Sequence, residues 1–205
     1  QLCNNMCVEN RENQDYMFPL IIPLFSNIKW EIKTATIALS FVLTCTQPGS
    51  KNRNLLSFSL LEPFLQLPHD NEELEIRIVG LLPSLSTDAL NWAMKNHEKC
   101  IVMLDRLHDA IECAPEQFDV DSVIPLLLQL IVPDRLPVEQ AKSKVMALLA
   151  TLIGCSEPAR RKALDLKAVD AVMNTKKIDR TDPILLEWSE LAIRYLTGDI
   201  DDMVE

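Results

Sequence analysis

Two pairs of soft metal ligands fall at helical spacing in this chain, His97-x-x-Cys100 and Cys3-x-x-x-Cys7. A structural zinc site takes four such ligands, and no further pair lies at a matching distance. The plainer reading is a surface histidine beside a buried cysteine, and a chance pair of thiols. The three histidines, His69, His97 and His108, stand in no Ser or Cys signature that would set a nucleophile beside a base and oxyanion donors. Phosphate-cradling loops of the G-x-x-x-x-G-K or G-x-G-x-x-G type do not occur. Acidic pairs such as Glu72-Glu73 and Asp201-Asp202 read as solvated faces. The residues therefore imply a chain that is not an enzyme and needs no metal or cofactor.

Charge offers binding chemistry instead. A basic cluster, Arg160-Arg161-Lys162, Lys167, Lys176-Lys177 and Arg180, interleaves with Asp165, Asp170 and Asp179. It holds no aromatic residue, so a salt-bridged solvent face is the simpler reading and a contact with an acidic peptide the sharper one. The net charge of −10 argues against a nucleic-acid duplex as partner, because phosphate binding needs clustered Lys and Arg. The six cysteines form no C-x-x-C pair. Most sit in apolar helical stretches, so reduced and buried thiols are expected.

The elements that must position these residues are helices. Hydrophobic residues make up 48% of the chain and aromatics 5%, with only 4 Gly, so the core is aliphatic and tight-turn β folds are disfavoured. The longest uncharged apolar runs, 34–45 and 123–132, fall short of the ~20 residues that span a bilayer. Residues 1–10 lack the features of a signal peptide. The chain opens without Met on what reads as the tail of a helix, as expected of a piece of a longer protein.

An internal repeat organises the chain. A short apolar segment with an early Pro recurs as Leu20-Ile21-Ile22-Pro23-Leu24-Phe25, Leu60-Leu61-Glu62-Pro63-Phe64-Leu65 and Val123-Ile124-Pro125-Leu126-Leu127-Leu128. A fourth copy at 168–173 has lost its Pro. Longer helices are expected after each, at 31–45, 72–85, 138–154 and 183–197, with one more near 97–113. Asp182-Pro183 and Ser156-Glu157-Pro158 read as helix starts, Gly154 and Gly198 as helix stops, and 68–71 as a turn. Residues 47–53 read as a mobile loop and 199–205 as an acidic tail. The expected architecture is an all-α, armadillo/HEAT-like solenoid over 1–198 of about four repeats, the first truncated.

In the last helix Ile184, Trp188, Leu191 and Tyr195 form an apolar stripe, with Glu187, Glu190 and Arg194 opposite. Trp188 is therefore expected as a buried wedge between layers, and Glu190 and Arg194 as an i,i+4 pair. Nuclear-import adaptors bind basic peptides through arrays of Trp and Asn on successive repeats. The aligned positions here hold Leu191 and Tyr195, and Ile37 and Phe41, so that array is missing.

The C-terminal run carries Ile178, Asp179, Pro183, Glu187, Trp188, Ala192, Ile193, Arg194 and Leu196 at the spacing I-D-x-x-x-P-x-x-x-E-W-x-x-x-A-I-R-x-L, with Tyr195 where Asn is usual. It resembles the end of the ataxin-10 domain. The opening stretch from Asn5 to Asp15, with Glu12-Asn13-Gln14, is similar to the loops between repeats of that family. The resemblance implies an armadillo-like, cytoplasmic, non-enzymatic scaffold, in a family linked to cytokinesis and cell morphogenesis. The expected partner is another protein or peptide, without nucleic acid or membrane insertion, and a homo-oligomer is also allowed. The expected contact residues are Lys33, Arg77, Lys142, Lys144, Glu187, Glu190 and Arg194. Other readings of the same fold are an Hsp70 nucleotide-exchange factor and a structural subunit of a larger assembly.

Overall fold

The computed structural model describes residues 1–67, 71–132, 136 and 140–198, apart from the side chains of Ser26 and Asn27. His69, most of the 68–71 turn, the start of the 138–154 helix and the acidic tail lie outside the described residues. All regular structure among the described residues is helical, with no strand. No helix among them is long and apolar enough to cross a membrane.

The chain divides into two units, Gln1–Leu85 and Ser86–Glu205. The first holds α1 (Leu2–Cys7), α2 (Arg11–Ile21), α3 (Ile32–Cys45), α4 (Phe58–Leu61) and the start of α5 (Glu72–Lys95). The second holds the rest of α5, then α6 (Cys100–Cys113), α7 (Val120–Leu130), α8 (Ala141–Cys155), α9 (Glu157–Asp165), α10 (Ala168–Ile178) and α11 (Pro183–Thr197). The helix expected at 72–85 thus runs ten residues further. Pro83 removes one ladder N–H, but the turns beyond it bury Leu85, Ala89, Leu90, Trp92 and Ala93, and that burial outweighs one lost bond.

In the first unit the amide-rich loop has a capping role. Glu9 takes a left-handed conformation (φ 55°) and Asn10 accepts the backbone N–H of Asn13, starting α2. Asn13 and Gln14 then donate to the carbonyls of Met6 (2.7 Å) and Cys7 (2.8 Å), which the end of α1 leaves open. Residues 47–53 are tied down, contrary to expectation. Asn52 is 1% exposed and its amide donates to the carbonyls of Gln14 and Cys45, so a buried amide holds the segment against α2 and α3. The early-Pro segments of this unit divide into short helical pieces: Leu20–Phe25 spans the end of α2 and a 3-10 turn.

The second unit is built from longer helices. Ser156 caps α9 by accepting from Ala159, and Asp182 caps α11 by accepting from Ile184 and Leu185. Gly198 ends α11 in the left-handed conformation (φ 83°), where glycine carries no Cβ penalty. Gly154 has another role: it lies inside α8, and a Cβ there would come within 2.6 Å of the Tyr195 ring. Its lack of a side chain lets α8 and α11 approach. Gly154→Ala is expected to cost about 1–3 kcal/mol by overpacking, read as a lower urea midpoint at unchanged m; an unchanged midpoint would contradict this.

The thiols are free, but their burial differs from expectation. Cys7, Cys45 and Cys100 are buried, whereas Cys113 and Cys155 are exposed at the ends of α6 and α8. Burial pushes the Cys7, Cys45 and Cys100 thiols up from their ordinary value, and the Cys7 thiol donates to the Met17 sulfur. Since the thiolate is the reactive form, iodoacetamide at neutral pH should label Cys113 and Cys155 first. Labelling of Cys45 at a matching rate would show local opening at the end of α3.

Candidate functional site

Three helices of the second unit lie side by side in the order α6, α8, α11. Lys144 of α8 pairs with Asp105 of α6 (2.6 Å), and seven residues on, Thr151 of α8 meets His108 of α6 (2.9 Å). Trp188 of α11 stands edge-on to His108, ring centroids 5.9 Å apart, and one two-turn step later Tyr195 lies over Gly154. These pairs all advance together, so the three helices run parallel. α8 is apolar nearly all round and buries ten of its residues, because α6 and α11 flank it while α7 and α9 also pack on it.

Between α6 and α11, with α8 as floor, runs a groove of about 340 Å³. Leu104, Asp105 and His108 form one wall and Ile184 and Trp188 the other; Gln140, Ser143, Lys144 and Ala147 form the floor. Trp188 is half-buried, not a core wedge, which corrects the expectation above. The residues that pack α11 onto the unit are Leu185, Ser189, Ala192 and Leu196. Ile184, Trp188, Leu191 and Tyr195 form an adjoining stripe one position earlier, and Ile184 is 56% exposed. The helix carries two apolar stripes, one for the core and one for the groove, and periodicity alone does not say which is which.

Thr151, His108 and Glu112 have the order of a nucleophile, base and orienting acid. The His108 Nδ1 to Glu112 Oε1 distance is 4.0 Å, beyond a hydrogen bond, and the backbone N–H groups around Thr151 belong to the α8 ladder. An acyl-transfer site also needs aligned oxyanion donors, which the helix interior does not supply. His108, Asp109 and Glu112 bring ligand atoms within 4.8 Å of one another on one face of α6, a three-donor set that sequence reading passed over because it has no familiar spacing.

The expected contact residues do not converge. Lys144 lines the groove. Glu187, Glu190 and Arg194 are exposed on the outer face of α11. Glu190 pairs with Lys176 of α10 (2.8 Å), which holds its carboxyl below the usual range, with a weaker contribution from Arg194. The expected Glu190–Arg194 pair is therefore secondary. Lys142 pairs with Asp179, away from the groove lining. In the first unit, Arg77 donates to Ser40 and to Glu73, and Lys33 is exposed on α3. The basic cluster is largely a salt-bridged face: Glu157 takes Arg160 and Arg161, which lower its pKa, while Asp121 raises that of Lys162. Sequence reading missed His108, Asp105 and Ile184, which become neighbours only when α6 and α11 flank α8.

A second cleft, about 280 Å³ and mainly apolar, lies in the first unit beside Ile37 and Phe41. No family model, curated protein or solved structure matches the chain.

Proposed function

We propose that this chain is a non-enzymatic protein-interaction scaffold, built as a stack of armadillo-like helical repeats, that holds a peptide segment of a partner protein in the groove between α6 and α11. The observation that carries the reading is Trp188. It is a large aromatic only partly buried, and it lines the groove beside Ile184 and across from His108 of α6. Tryptophans in such clefts are typical anchors of interfaces, because they offer a large apolar area. The stacking of α6, α8 and α11 in parallel, with shorter helices packed behind, supports the repeat architecture, in which the last helices of successive repeats form a binding wall. The ataxin-10-like run agrees with this reading, since its Trp188 lines the groove. Cytoplasmic placement and a part in cytokinesis are what that resemblance would add.

The test is selection of a displayed random library of 12-residue peptides on the intact chain. The reading expects enriched peptides that bind the wild type and lose binding to Trp188→Ala. Enrichment indifferent to Trp188 contradicts it.

A further inference from the structure

We infer that the groove selects a peptide carrying a basic residue, arginine before lysine, placed toward the C-terminal ends of α6 and α8; this rests on the peptide-binding reading above. Asp105, His108 and Glu112 follow one line along α6 at i, i+3, i+7, so the α6 wall ends in a carboxylate. Glu112 and its neighbour Asp109 are exposed, and neither has a lysine or arginine partner among the described residues. Among the described residues the one Lys or Arg lining the groove, Lys144, is already paired with Asp105 at 2.6 Å. The charge left without a described cation is therefore that of two carboxylates clustered with His108 at the edge of the groove.

The backbone adds to it. Because α6, α8 and α11 run parallel, their carbonyl ends at Cys113, Cys155 and Thr197 gather at the same end as Glu112. The partial negative charge of a helix end acts within its last turn, so that of α6 reaches Glu112, whereas those of α8 and α11 lie eight and nine residues beyond Ala147 and Trp188, the last groove residues on these helices. Opposite, the Trp188 ring stands beside His108 and offers an aromatic surface to a planar cation. A guanidinium satisfies both demands, stacking on the indole while pairing with carboxylate. An apolar side chain of the same peptide would fill the space by Ile184, Ala147 and Leu104.

The experiment uses the peptides enriched on the intact chain, resynthesised with a fluorescein label and measured by anisotropy. Replacing arginine by citrulline keeps the shape and removes the charge; binding is expected to weaken about tenfold or more, as for a close interfacial charge pair. Glu112→Lys and Asp109→Lys are each expected to weaken the arginine peptide by a similar factor with unchanged melting, since both side chains are exposed. Peptides that need Trp188 yet tolerate citrulline and both reversals would overturn the charge preference and leave the groove reading standing. Peptides indifferent to Trp188, or a library without binders, would overturn the groove reading itself.

Discussion

Leu185→Ala is expected to destabilise the second unit by about 2–5 kcal/mol, the usual range for truncating a buried leucine, while its neighbour Ile184→Ala costs under about 1 kcal/mol. Leu185 is 1% exposed, whereas Ile184 is 56% exposed and lines the groove. The contrast turns on one residue of register on α11. Urea unfolding of both variants reads it directly. Equal losses, or a larger loss at 184, would return the core to the 184/188/191/195 stripe and remove the groove wall.

Trp188→Ala should separate folding from binding. Only part of the ring is buried, so the stability cost is about 1–2 kcal/mol, less than the ~3–5 kcal/mol of a buried aromatic. Peptide affinity should fall by about 2–4 kcal/mol, roughly 30- to 1000-fold, as for an interface anchor. A large fall in melting temperature with intact affinity would make Trp188 a core residue after all.

Helix boundaries were legible where a side chain caps an end. Asp182-Pro183, Ser156-Glu157 and Gly198 behave as their chemistry demands, because capping is a local event. The end of α5 was not legible: Pro83 looks like a stop, and only the burial of the residues beyond it decides otherwise. Asn52 was invisible for a related reason. An amide in a Gly-Ser-Lys-Asn stretch reads as loop, and its role depends on carbonyls 7 and 38 residues away. The groove was half legible. Lys144 and Trp188 stood out by type, but the partners that make them a site lie on α6, and no spacing in sequence links 105 and 108 to 144 and 188. The outer charges Glu187, Glu190 and Arg194 were read correctly as exposed, yet exposure placed them beside the groove and not in it.

The central claim is that Trp188 contacts a bound peptide. In a chain with Trp30→Phe and Trp92→Phe, Trp188 is the sole indole, and its emission can be followed while a selected peptide is titrated in. The expected result is a saturable blue shift at the concentration where anisotropy reports binding, as the ring loses water to the occupant. An emission spectrum unchanged at saturating peptide would contradict it.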